Sequence, residues 1–174
     1  MSDAPLTENG KIQAQELGKF LSAEKNIHKL YASPMRRARE TAEIIALQTK
    51  SSISFDDRLT EKNYRKSKNL YPDGNHIYVK FLSNGKKETK KQHLARLLNF
   101  LEEKINALDK DVYVVGHGGL ILRSFEKIAS DKNQKIEKHK MPYCSVFIFN
   151  YNKLTKSLQY IDNFTTGEKE SGKV

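Results

Sequence analysis

Residues 31–45 read YASPMRRARETAEII, and they set the architecture. Tyr31 and Ala32 close a short extended run, IHKLYAS (residues 27–33), with Leu30 and Ala32 directed inward. Pro34 stands where a proline is tolerated in the first turn of a helix. Ala38, Thr41, Ala42 and Ile45 then recur at helical spacing and form one buried stripe over a helix spanning residues 34–49. Ser33 sits at the strand end, and Arg36, Arg37 and Arg39 crowd the first helical turn. A helix N-terminus favours anions, and arginine adds planar, bidentate hydrogen bonding that suits phosphate. Arg36 and Arg39 also read as part of a solvated face. On spacing alone, an anion pocket and a plain solvated surface both stand.

Working outward, residues 7–24 read as a helix. Thr7 is the N-cap, Glu8 lies in the positive first turn, and Ala14, Leu17, Phe20 and Leu21 share one face. SISFDDRL (residues 52–59) alternates like a strand. From Lys62 to Lys91 the pattern breaks, with nine Lys/Arg against two acids and a turn signal, PDGN, at residues 72–75. This reads as a loop or lid. ETKKQHLARLLNFLEEKINAL (residues 88–108) is a long amphipathic helix carrying Leu94, Leu97, Leu98, Leu101 and Ile105. DVYVVGHGGLILRSFEKIA (residues 111–129) is strand, glycine loop and helix, and the run Val112–Val115 suits a strand buried on both faces. CSVFIFNYNKLTKSLQYIDN (residues 144–163) reads as a hairpin around a polar turn at residues 150–157. Strands alternating with helices predict a three-layer α/β/α sandwich with a mainly parallel central sheet. One domain over residues 1–164 and a frayed tail over residues 165–174 are expected.

The 174 residues carry 31 Lys and Arg against 21 Asp and Glu, a formal charge of +10. Such a chain attracts phosphate-bearing partners in general. No nucleic-acid motif accompanies the charge, so a nucleic-acid partner is not expected and a lysine-rich solvated surface accounts for it. No apolar run reaches the length of a membrane helix, and the first residues given do not have the basic-then-apolar pattern of a signal peptide. Cys144 is the single cysteine, which rules out an internal disulfide and suggests a reducing cytoplasm. One cysteine and five scattered histidines support no metal cage, and no cofactor is expected. Oligomeric state is not legible.

In an open α/β sheet, ligands bind beyond the carboxyl ends of the strands. VVGHGG (residues 114–119) delivers His117 there. A histidine after a strand is often structural, but glycines on both sides allow close approach of a ligand to backbone, and a plain connection does not require them.

Three stretches, DAPLTENGKIQAQELGKFL (residues 3–21), YASPMRRARETAEII and VVGHGG, make the chain resemble the histidine phosphatase superfamily, also called phosphoglycerate-mutase-like. The resemblance covers most of the chain to about residue 125. It implies that Arg37, four positions after Ser33, binds phosphate and that His117 lines the same pocket. It also implies a proton donor in a carboxylic acid eight residues before an arginine. Glu88 precedes Arg96 by eight, with Lys87 where the family usually has glycine.

The implied chemistry is phosphoryl transfer through a phosphohistidine, on a small phosphorylated substrate and without a metal. Hydrolysis is favoured over mutase activity because residues 62–91 are short for a mutase lid. The family's attacking histidine stands in an Arg-His-Gly motif on a strand before the D-x-P-L-T loop, and none of His28, His76, His93 or His139 has that context. The expectation is therefore a first strand missing from the chain as given, encoded by roughly 15–25 upstream codons, and no turnover by the chain as written. The alternative is a pseudophosphatase that holds a phosphorylated ligand without turnover.

Overall fold

The structure is a computed structural model that describes residues 3–24, 26–61, 88–107, 111–121, 144–152 and 157–164. The lid expected over residues 62–91 falls almost wholly outside these, as do the tail at residues 165–174, His76 and His139.

Helix α1 spans Glu8–Glu24. Thr7 caps it, its Oγ1 accepting from the Gly10 N–H at 3.1 Å. Strand β1 spans Lys29–Ala32 and helix α2 spans Arg36–Thr49. The N-cap of α2 is Met35, so Pro34 stands just before the helix rather than in its first turn. Strand β2 spans Ser52–Phe55 and a 3₁₀ turn follows at Asp57–Leu59. The strand expected over residues 52–59 is thus half its expected length. The Asp56 carboxylate caps the Arg58 N–H at 2.9 Å and turns the chain there.

Helix α3 spans Lys90–Ala107 and β3 spans Tyr113–Val115. Residues 118–121 are helical again. Strands β4 (Val146–Asn152) and β5 (Ser157–Phe164) pair antiparallel, with an irregularity between Ile148 and Phe149.

The order of the main sheet is β2-β1-β3, and all its pairs are parallel. Successive β1 residues face opposite layers. Leu30 packs with Leu17, Ile27, Ile45 and Ala46 under α1 and α2. Tyr31 packs with Leu59, Leu97, Phe100 and Leu120 on the α3 side. The result is helix, sheet, helix, the α/β sandwich expected from the alternation of elements. Cys144 and Val146, at the start of the hairpin, pack on the first of these clusters. The close seating of α1 on α2 uses Gly18, where a Cβ would come within 3.3 Å of the Ile45 Cα.

Two burial expectations differ. Val112–Val115 are half-buried, because among the described residues β3 pairs with β1 on one side only. On α3 the buried residues are His93, Leu97 and Phe100, not the whole leucine stripe. The helix is rotated so that its first half faces the 3₁₀ turn.

Candidate active site

Parallel pairing brings the carboxyl ends of β1, β2 and β3 to one edge. There the Ser33 N–H donates to the Val115 carbonyl at 2.9 Å, and the Asp56 N–H to the Ala32 carbonyl at 3.0 Å. Ser33 and His117 therefore emerge side by side. The His117 Nε2 lies 2.8 Å from the Ser33 Oγ, and that hydroxyl also accepts from the Met35 N–H at 3.3 Å. A hydroxyl oxygen has one hydrogen and two lone pairs, so beside the Met35 N–H it can bond Nε2 in either direction. With the hydroxyl donating, the proton of the neutral ring sits on Nδ1, the nitrogen that faces Glu61.

Burial holds His117 far below ordinary imidazole basicity, to a pKa of about 3, with the positive charge of Arg37 and the nearby His93 and Arg96 acting the same way. The imidazole is neutral at pH 7. Its Nδ1 lies 3.9 Å from the Glu61 Oε2, so that contact is a dipole beside a carboxylate rather than an ion pair. The Arg37 Nη2 stands 4.0 Å from the same oxygen. Arg37 is the second residue of α2, and its carbonyl accepts from the Thr41 hydroxyl at 2.8 Å. Arg37, His117 and Glu61 thus converge on one spot.

The loop before α1 is tied to the same helix start. A buried Asp3 carboxylate accepts from the Arg36 N–H at 2.7 Å. The Glu40 carboxylate takes the Leu6 N–H at 2.7 Å and the Arg36 Nε at 2.8 Å. Arg36 has an exposed side chain, in line with the solvated-face reading, but Arg39 stacks over the Phe55 ring at 4.1 Å. Arg37 is placed against Glu61.

Glu88 lies at the other end of a different pair. Its two oxygens accept from the Arg96 Nε at 2.7 Å and Nη2 at 3.1 Å. Glu61 was not singled out by its sequence context. It ends the stretch DDRLTE and opens the lysine-rich segment, where no period marks it. The usable signal is the Asp56-Asp57 pair, a turn-forming dipeptide that ends the strand early and redirects the chain towards the sheet edge.

Among the described residues no group of three or more His, Cys, Asp or Glu is placed to hold a metal ion. No described helix is long and apolar enough to cross a membrane.

The profile of the histidine phosphatase superfamily (branch 1) matches residues 1–163. The chain belongs to that superfamily. Phosphoglycerate mutase-like protein 4 of Arabidopsis thaliana is 30% identical over 154 residues, 78% of this chain and 65% of that protein. The chain spans 65% and 64% of the lengths of the two curated relatives that align over most of it, just under two thirds. Among solved structures, YhfR of Bacillus stearothermophilus superposes with a TM-score of 0.63 at 22% identity, over 90% of this chain and 83% of that one. A mycobacterial glucosyl-3-phosphoglycerate phosphatase in complex with inorganic phosphate gives 0.65 at 18% identity, over 92% and 87%. These two likenesses establish the histidine phosphatase fold.

Proposed function

We propose that this histidine phosphatase chain serves as a phosphomonoester hydrolase, with Arg37 and His117 on the phosphoryl oxygens and Glu61 as proton donor. One observation carries the reading. The Glu61 carboxylate stands about equally far from the Arg37 guanidinium and the His117 Nδ1, where two donors aim at one oxygen. A phosphoryl group held by those donors leaves Glu61 beside its ester oxygen. The role that the resemblance implies for Glu88 goes here to Glu61, because the Glu88 oxygens are taken by Arg96.

In the phosphohistidine chemistry of the superfamily, an imidazole lone pair attacks phosphorus as the ester P–O bond breaks. Glu61 gives its proton to the departing alkoxide. Water then attacks phosphorus as the P–N bond breaks, and its proton returns to the Glu61 carboxylate. Arg37 and the His117 Nδ1–H stabilise the oxygens as charge develops. A second alcohol in place of water makes the same site a mutase. The substrate class is a small phosphorylated molecule, and the lone Cys144 goes with a reducing cytoplasm.

A second reading is binding without turnover. Among the described residues no histidine fits the attacking role: His28 is exposed at the head of β1, His93 is buried with its Nε2 3.2 Å from the Thr60 carbonyl, and the His117 Nε2 is bound to Ser33. Labelling with a ³²P-phosphomonoester under an alkaline SDS quench, which preserves the acid-labile P–N bond, separates the two, since hydrolysis requires a labelled phosphohistidine. Arg37→Ala is expected to lower hydrolysis by about 10²–10³. Glu61→Gln is expected to lower alkyl phosphate hydrolysis by about 10²–10⁴ and to spare 2,4-dinitrophenyl phosphate, whose leaving group needs no proton. A larger selective loss in Glu88→Gln than in Glu61→Gln would move the acid to Glu88.

A further inference from the structure

The Arg96 side chain spends its donors on the backbone that carries Glu61. Nη1 donates to the Arg58 carbonyl. Nη2 donates to the Thr60 carbonyl at 2.7 Å and, more weakly, to the Glu61 carbonyl at 3.4 Å. The remaining edge is held by both oxygens of Glu88, which fixes the plane of the guanidinium. His93, on the preceding turn of α3, reaches the same Thr60 carbonyl. A carbonyl only accepts, so the His93 Nε2 carries its proton. The Arg58 carbonyl lies in the 3₁₀ turn and those of Thr60 and Glu61 follow it, and among the described residues they belong to no strand or long helix that satisfies them. Helix α3 satisfies them, and in doing so sets the height of residue 61 above the sheet.

The other end of the Glu61 side chain is set from the opposite side. A Cβ on Gly119 would stand 2.8 Å from the Glu61 Oε1. The carboxylate therefore rests directly on the backbone beside His117, and the room available to it is small.

We propose that Arg96, oriented by Glu88, is a positioning residue that places the Glu61 carboxylate for proton transfer to the leaving oxygen. The inference rests on the reading of Glu61 as proton donor. Arg96 makes no bond to the carboxylate itself. It acts through the carbonyls of residues 58, 60 and 61, and so its removal displaces Glu61 while leaving Arg37 and His117 where they are. Displacements of about 1 Å in a reacting group lower rates by about 10²-fold.

The test is a double-mutant cycle in the full chain, read on an alkyl phosphate and on 2,4-dinitrophenyl phosphate. Arg96→Lys keeps the charge but cannot span three carbonyls and a carboxylate. It is expected to lower kcat on the alkyl ester by about 10–100-fold while KM, the aryl ester rate and the affinity for inorganic phosphate stay within about threefold. Added to Glu61→Gln it should cost nothing more, because a residue acting through Glu61 has nothing left to position. Glu88→Gln should show the same selective loss in smaller measure, and it carries the test if Arg96→Lys fails to fold. Equal losses on both esters, or additive losses in the double variant, overturn the proposal while Glu61→Gln still upholds the proton donor. Absence of turnover, or a Glu61→Gln variant with unaltered preference between the esters, overturns the donor assignment and this inference with it.

Discussion

At His117, burial and two nearby guanidinium groups act in one direction, and the consequence reaches beyond the site. The native ring resists protonation until about pH 3, whereas an unfolded chain takes that proton near the ordinary value of 6.5. Between those limits the unfolded state binds more protons, so native stability is full above pH 6.5 and falls as pH drops towards 3. The expected outcome is a ring resonance of His117 that does not titrate between pH 7 and 4 in an NMR experiment, together with a fall in melting temperature over the same range. Inorganic phosphate should raise that pKa by placing negative charge beside Nδ1. His117 stands out in the sequence through its flanking glycines, whereas spacing alone does not separate Arg37 from Arg36 and Arg39, and only the resemblance, four positions after Ser33, points to it. Glu61 is not legible, since its position is set against Arg96 and Gly119, residues distant in sequence that meet it only in three dimensions.

At the scale of elements, the order of helices and strands followed from periodicity, and departures arose where a side chain ended an element early. Asp56 converts the last half of an expected strand into a 3₁₀ turn. That turn gives α3 something to face, which is why His93 and Phe100 are buried where a leucine stripe alone was expected. Phe100 is fully buried and meets Tyr31 edge to face, with ring centroids 5.4 Å apart. Phe100→Ala is expected to cost about 3–5 kcal/mol, a large share of the roughly 5–15 kcal/mol that holds a domain. Urea unfolding of the two proteins measures it. Leu94→Ala, at a half-buried position of the same helix, should cost clearly less. The reverse ranking would mean that α3 presents its leucine stripe to the core.

For the whole molecule, the layered α/β arrangement was readable because alternating strands and helices leave few alternatives. The register of the sheet was not readable, because parallel partners lie far apart in sequence and carry no local signal. The candidate site gathers Ser33, Arg37, Glu61 and His117, so an anion held there would link the sheet edge, α2 and the segment after the 3₁₀ turn. Phosphate at a hundredfold excess over its Kd should stabilise the native state by about 2.7 kcal/mol, roughly 5–10 °C in Tm for a domain of this size. Raised ionic strength should reduce the gain as the charges are screened. A melting scan with and without phosphate, at low and high salt, checks both.

The bond between Ser33 and His117 spans 84 positions of the chain, and that separation matters during synthesis. At about 5–20 residues per second on the ribosome, roughly 4–17 s pass between translation of the serine and of its partner. Helices α1 and α2 with β1 and β2 can dock in that interval, but the edge of β1 that will receive β3 stays open. A nascent chain in this state offers neighbouring polysomes an unpaired strand. The interval in which the protein is most exposed to aggregation is thus written into the spacing of its two strand ends, and slowing the ribosome between them would lengthen it.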